Sequence, residues 1–410
     1  MTERATFTPT AGDAANGGYT VLLAVDSFKG SASSRQVEEL LEQGVRRVCP
    51  DASVVKYPIA DGGEGTVEAV ATARNGEIRE ATVSGPLGAP VTASYALFDG
   101  GRSAVLEMAQ SSGITLIEQN GENALRACTE GVGQMLLAAL EDGAERIIIG
   151  LGGSATSDGG AGMARALGAR ILDANGEEVP CGLEGLCEAA SIDCSGLDPR
   201  LEDVEIVALT DVTNPLTGDD GAIRVYGRQK GIDVNRMAEY DGWMHDYARL
   251  VAEATGRDPE HVPGAGAAGG LGAALVSFCG AEIVSGIDAV LDIIGLDGVM
   301  GGVDLVITGE GRMDSQSANG KAPVGVARLA KRHGKPVAAV VGSRADDLGG
   351  VYDMGVDLVV PTVTGPATLD ECIARVGVSV PIAGESVMRA FLLGRGATPA
   401  HAASRPHAAA

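Results

Sequence analysis

Residues 20–59 read TVLLAVDSFKGSASSRQVEELLEQGVRRVCPDASVVKYPI, and this stretch decides the fold class. Thr20 to Val25 is a short, unbroken apolar run, the pattern of a strand buried on both faces. Ser33 followed by Gln36 makes a capping box. Val37, Leu40, Leu41, Val45 and Val48 then recur at helical spacing until Pro50 stops the helix. Val54 to Ile59 is the next strand. Strand, helix and strand in this order predict a β-α-β unit and a parallel sheet, hence an α/β fold.

The same grammar returns late in the chain. Val303 to Thr308 reads as a strand, Pro323 to His333 as a helix ended by Gly334 and Pro336, and Val337 to Val341 and Val356 to Val360 as strands. The two ends are therefore expected to form one discontinuous α/β domain, residues 19–79 plus 290–385. A second α/β domain, 80–289, is inserted into it. That segment alternates weakly from Val83 to Leu106. It then shows a helix from Thr129 to Leu140, a strand from Arg146 to Ile149, a helix from Ala161 to Leu167, and strands at Ala169 to Leu172 and Val204 to Leu209. Residues 1–18 read as a disordered tail, and 386–410 as the end of a helix followed by a second tail.

Composition narrows the function classes. The chain has 410 residues and a formal net charge of −24, which opposes nucleic acid and anionic membranes as partners. Seven cysteines occur without a C-x-x-C pair, so reduced thiols in a cytoplasmic protein fit better than zinc or disulfides. The N-terminus lacks the apolar core of a signal peptide, and no run of about 18 apolar residues marks a membrane span. Oligomeric state is not specified.

Ligands of parallel sheets bind beyond the carboxyl ends of strands. Five strand ends carry acids beside glycines, hydroxyls or bases. They are Asp26-Ser27-Phe28-Lys29-Gly30, Ala60-Asp61-Gly62-Gly63-Glu64-Gly65-Thr66, Gly150 to Gly160, Thr210-Asp211-Val212-Thr213-Asn214-Pro215, and Gly309-Glu310-Gly311-Arg312-Met313-Asp314. One such acid is most often a turn or a helix cap; five together suit phosphoryl transfer. That reaction needs backbone N–H groups around phosphates, cations on the developing charge, carboxylates for Mg²⁺ and an acceptor for the hydroxyl proton. Lys29, Lys230, Arg312 and Lys321 can supply positive charge.

Two glycine motifs compete with this reading. Gly264, Gly266 and Gly269 form a G-x-G-x-x-G that follows no strand; it opens a helix from Gly270 to Phe278, with room for an anion there. Gly150, Gly152 and Ala155, with Asp173 after the next strand, resemble a dinucleotide fingerprint and would make an NAD-dependent hydroxy-acid dehydrogenase. A non-catalytic sugar-acid sensor is a third possibility, but no basic recognition helix accompanies it. No Walker A pattern occurs, because Gly320-Lys321 is followed by Ala322.

In order along residues 20 to 380, these loops resemble the bacterial glycerate kinase family. The matching segments are Asp26–Gly30, Ala60–Thr66, Gly152–Thr156, Asp158–Gly162, Asp211–Leu216, Gln229–Gly231, Pro263–Gly270, Thr308–Gln316 and Gly320–Pro323. Ser157, Arg228, Thr210 and the segment after Pro361 depart from the usual pattern. The resemblance implies a phosphotransferase with an alcohol acceptor, converting D-glycerate to 2- or 3-phosphoglycerate with ATP and Mg²⁺. It also implies two α/β domains, one flavodoxin-like, with the active site in the cleft between them.

Residue type and strand-end position suggest the roles. Asp211 or Asp314 is the base. Lys29 and Arg312 bind the glycerate carboxylate or steady the phosphoryl group, with Asp26, Ser27 and Asn214 as further substrate contacts. Gly152, Gly153, Ser154, Thr156 and Asp158 cradle the ATP phosphates, supported by Lys230 and Lys321. Asp61, Glu64 and Glu310 are the metal candidates.

Overall fold

The computed structural model describes residues 18–396; of the tails expected at 1–18 and at the end of 386–410, residues 1–17 and 397–410 lie outside the described residues. The chain divides into two compact units, one built from the chain up to Ala60 and again from Leu291, the other from Asp61 to Val290.

The first unit holds a five-stranded parallel sheet. Its spatial order is Leu358–Pro361, Val337–Arg344, Leu305–Met313, Thr20–Val25 and Ser53–Lys56. Counted along the chain, the strands are ordered 2-1-3-4-5, the flavodoxin-like arrangement, with the second unit inserted between strands two and three. The order reverses between Thr20–Val25 and Leu305–Met313, which pair from Val21 opposite Leu305 to Val25 opposite Gly309. Helix Ser34–Val48 begins with the expected capping box, the Ser33 side chain accepting from Gln36 N and the Gln36 side chain accepting from Ser33 N. Its buried Val37, Leu41, Val45 and Val48 join Val21, Leu23, Val25, Ile307 and Val340 in one core.

Helix Val376–Gly394 closes that core and is continuous across residue 385, where the sequence pattern placed the domain's end. It crosses Ser34–Val48 closely enough that a Cβ on Gly44 would lie 2.2 Å from Pro381 O. By length and composition it is also the one helix among the described residues long and apolar enough to cross a membrane.

One strand is longer than its sequence suggested. Leu305–Met313 runs past Thr308 through Gly309, Glu310, Gly311 and Arg312, with Arg312 opposite Ser343. A Cβ on Gly309 would meet Val340 O at 1.9 Å, and one on Gly342 would meet Gly311 O at 2.4 Å. The glycines that looked like a loop signal are where neighbouring backbones crowd together.

The second unit holds a six-stranded mixed sheet ordered Glu282–Val284, Glu205–Leu209, Arg146–Gly150, Ser103–Glu107, Pro90–Phe98 and Glu77–Ser84. The first four are parallel and the last two form an antiparallel edge. The weak alternation between Val83 and Leu106 spans the end of Glu77–Ser84, all of Pro90–Phe98 and most of the buried strand Ser103–Glu107, and the outermost strand Glu77–Ser84 is exposed over much of its length. Helices Glu130–Glu141, Ala161–Ala166 and Leu271–Cys279 contribute Val132, Met135, Met163, Leu271 and Leu275 to a core with Leu106, Ile147, Ile149, Ile206 and Ala208. The strand expected near Ala169 is Arg170–Leu172, and it stands outside the main sheet, paired antiparallel with Ser191–Asp193.

Candidate active site

In the second unit, the carboxyl ends of the four parallel strands gather Glu107, Gly150, Asp211 and Ser285 at one edge. Asp211 follows Glu205–Leu209. Its Oδ1 accepts from Ser285 Oγ at 3.0 Å and from Gly286 N at 2.9 Å, at the start of helix Gly286–Ile293. Burial pushes the Asp211 carboxyl up to about 6; the Ser285 bond opposes that rise and the neighbouring Asp61 charge adds to it.

Asp61 and the glycines after it lie on this edge by backbone packing. A Cβ on Gly286 would be 2.3 Å from Asp61 O, one on Gly150 would be 2.2 Å from Gly62 O, and one on Gly152 would be 2.7 Å from Gly63 Cα. The segments Asp61–Gly63 and Gly150–Gly152 are therefore glycine-rich because each occupies the space of the other's side chains. Glu64 is exposed. Glu107 was not singled out from the sequence. It is buried, accepts from Val67 N at 2.8 Å under helix Thr66–Arg74, and burial raises its carboxyl above the usual range.

The Gly152–Asp158 loop has an outer and an inner half. Gly153 is exposed and Ser154 bridges Gly113, with Ile114 N donating to Gly153 O and Ala155 N to Ser112 O. Thr156 and Ser157 are buried, and neither hydroxyl has a hydrogen-bond partner. Asp158 is fully buried. Its Oδ2 accepts from Thr129 N, Thr129 Oγ1 and Gly162 N, and its Oδ1 from Gly160 N, so it fastens the start of helix Ala161–Ala166.

Lys230, only 3% exposed, lies under the same loop and donates to Thr156 O. Burial pulls its ammonium down to about 7, and Asp158 opposes that fall. In this structure both residues support the loop from beneath. Asn214 is fully engaged as well: Tyr226 donates to its Oδ1, its Nδ2 donates to Asp220 O, and its carbonyl accepts from Gly266 N.

The glycine motif at 264–269 also has a packing explanation. It ends in helix Leu271–Cys279 as expected, but a Cβ on Gly269 would lie 2.0 Å from Thr156 O. The rival dinucleotide fingerprint loses its acid. Asp173 is half-buried, follows a strand of the side ribbon, and its Oδ1 holds a tight turn through Asn175 N and Glu177 N. A ribose-binding acid must end the neighbouring parallel strand of the main sheet.

In the first unit, the residues after the two central strands flank the point where the strand order reverses, the usual ligand position in such a sheet. Asp26 N donates to Gly309 O at 3.0 Å, and a Cβ on Gly311 would meet the Phe28–Lys29 backbone at 3.4 Å. Asp26 is buried and Lys29 exposed, and the Ser27 hydroxyl is buried without a partner.

Arg312 is a strand residue, 72% exposed at its side chain, with Nε 3.6 Å from Asp314 Oδ2. Asp314 caps the turn Ser315–Asn319, accepting from Gln316 N and taking Ser317 Oγ on its own N–H. Glu310 is buried, its carboxyl raised mainly by burial, and Lys321 Nζ stands 3.5 Å from its Oε2. Lys321 is also the N-cap of helix Ala322–Arg332. Among the described residues no group of three or more His, Cys, Asp or Glu side chains forms a metal cluster.

The model of the family described as "Glycerate kinase family" matches residues 21–392. The glycerate 2-kinase of Escherichia coli K12 is 49% identical over 86% of this chain and 92% of that protein. The glycerate kinase of Bacillus subtilis 168 is 45% identical over the same shares. A crystal structure from Salmonella typhimurium LT2, described as glycerate kinase 2, superposes with a TM-score of 0.81 at 43% identity, covering 92% of this chain and all of that one. The chain belongs to the glycerate kinase family and is a kinase that phosphorylates glycerate.

Proposed function

We propose that the enzyme transfers the γ-phosphoryl group of ATP, as its Mg²⁺ complex, to the 2-hydroxyl of D-glycerate in the cytoplasm, with Asp211 as proton acceptor. The observation carrying the assignment of Asp211 is its half-buried place just after a parallel strand, held by Ser285 and Gly286, where burial raises its carboxyl to about 6. A base poised there is ionised at neutral pH yet still basic enough to take a hydroxyl proton. The Ser285 and Gly286 bonds fix its orientation. Asp314 is the weaker candidate because it is committed to its cap. The choice of the 2-hydroxyl rests on the name of the Escherichia coli relative.

When bound, Mg-ATP supplies the phosphoryl group. Asp61, whose charge adds to the rise of Asp211, is the first metal candidate, since Mg²⁺ commonly takes one or two carboxylates together with phosphate oxygens, and Asp211 is kept for the proton. Glu64 and Glu310 are the further metal candidates. Ser154 and the backbone of Gly152 and Gly153 are assigned to the phosphates. The unpartnered Thr156 hydroxyl fits the same loop, while Asp158 and Lys230 hold that loop in shape. Lys29 and Arg312 are assigned to the substrate carboxylate, Asp26, Ser27 and Asn214 to its surroundings, and Lys321 to phosphate charge.

Phosphorus NMR of purified protein with Mg-ATP and D-glycerate tests this reading. The expected product is 2-phosphoglycerate. A 3-phosphoglycerate signal would overturn the regiochemistry and keep the kinase. Folded protein with no glycerate-dependent ATP turnover, or with a nicotinamide absorbance change instead, would overturn the reading.

A further inference from the structure

Cys128 and Cys181 lie more than fifty residues apart in sequence and meet in the second unit. Cys128 precedes Thr129, is 4% exposed, and its backbone N donates to Pro86 O. Its sulfur rests on the backbone of Gly162, where a Cβ would come within 2.3 Å of it. Cys181 is exposed, on the turn Pro180-Cys181-Gly182. That turn lies so close to the Leu125–Arg126 backbone that a Cβ on Gly182 would sit 2.4 Å from Leu125 O. The Cys181 side chain neighbours that of Cys128, and each thiol shifts the other. Arg165 Nη1 donates to Cys181 Sγ at 3.2 Å, and the guanidinium is fixed by Val179 O at 3.1 Å and Glu178 Oε2 at 3.3 Å. Both cysteines line one cavity of about 300 Å³, with Pro86, Arg126 and Glu130 among its walls.

We propose that Cys181 and Cys128 are a hydroperoxide-oxidised dithiol site, with Cys181 the attacking thiolate and Cys128 the thiol that resolves it into a reversible disulfide. The environment supports the roles. The neighbouring Cys128 thiol and the Arg165 charge lower the Cys181 thiol, against burial and the Glu130 and Asp158 charges, while Cys181 and burial raise Cys128.

The chemistry balances. The Cys181 thiolate attacks the terminal peroxide oxygen, an S–O bond forms, the O–O bond breaks, and the leaving oxygen takes a proton and departs as an alcohol or, from hydrogen peroxide, as water. The sulfur loses two electrons and becomes a sulfenic acid. The Cys128 sulfur then attacks it, the S–S bond forms, the S–O bond breaks, and the departing hydroxide carries off the Cys128 proton as water. An added dithiol reverses the change. The disulfide would sit one residue from Thr129, whose N–H and hydroxyl hold Asp158 in the Gly152–Asp158 loop.

Cys187 provides an internal control, because it is also exposed but its thiol is raised by burial and by Glu188. On the reduced full chain at pH 7, iodoacetamide should modify Cys181 on the order of tenfold faster than Cys187. Hydrogen peroxide should give a Cys128–Cys181 cross-linked peptide by non-reducing mass spectrometry, lost on adding dithiothreitol and absent in Cys181→Ser. In Cys128→Ser, dimedone should label Cys181. Equal alkylation of Cys181 and Cys187, or peroxide-treated protein lacking the Cys128–Cys181 peptide, would overturn the proposal.

Discussion

Ser285 Oγ donates to Asp211 Oδ1 at 3.0 Å, joining the ends of two neighbouring parallel strands. The bond favours the charged carboxylate, so it restrains a carboxyl that burial has raised to about 6. If Asp211 is the base, kcat/KM falls as pH drops through about 6, where the carboxylate takes up a proton. Ser285→Ala removes the restraint, so the acid limb should move to higher pH, by roughly half a unit to one unit. A profile of kcat/KM between pH 5 and 8 for both proteins checks the direction. A limb that stays in place or moves down separates Ser285 from the base.

Glu38 lies wholly buried on helix Ser34–Val48, with Val25 N 3.5 Å from its Oε1 and no partner for Oε2. Burial lifts its carboxyl from 4.5 to about 9, against the Val25 bond. A folded-state value above the unfolded one means that the protonated form favours the fold. That contribution is complete below about 4.5 and is lost as pH rises toward about 9. Glu38→Gln removes the titration, so its stability advantage over the wild type should grow across this window, reaching about 1–4 kcal/mol near pH 8. Thermal melts at pH 5 and pH 8 measure it.

Asp158 holds four donors in a fully buried position. Asp158→Ala leaves them without their acceptor, so the protein should lose about 2–4 kcal/mol of stability by chemical denaturation. A loss of activity with unchanged stability would instead point to direct contact with a ligand.

Gly150 faces Gly62 O where a Cβ would stand 2.2 Å away, whereas Gly242, within helix Met237–Thr255, has nothing within 4 Å of that position. Gly150→Ala should displace the strand-end segment and lower turnover at least about tenfold. Gly242→Ala should leave turnover intact and add about 0.5–1 kcal/mol of stability. Paired assays and melts compare the two.

What the sequence revealed was mostly local. The Ser33–Gln36 box, the alternation of strands and helices in the first unit, and the run of acids after strands are written within a few residues of one another. What it hid depends on residues far apart. Arg312 reads as a loop residue until Gly309 and Gly342 are seen closing the Leu305–Met313 strand against its neighbour. Lys230 reads as a free cation, but the Thr156 carbonyl above it comes from 74 positions away. Glu107 and Ser285 carry no motif, and only the register of the second sheet sets them beside Gly150 and Asp211. The glycines misled most, because a phosphate-facing loop and two backbones in contact need the same residue.

The central assignment is Asp211 as proton acceptor, and the most direct measurement is the glycerate-dependent turnover of Asp211→Asn. Asparagine keeps an oxygen for Ser285 and Gly286 but cannot take a proton. The melting temperature should therefore stay near wild type while kcat falls on the order of 10²–10⁴-fold. Turnover within a factor of a few of wild type, in protein that melts normally, would contradict the assignment.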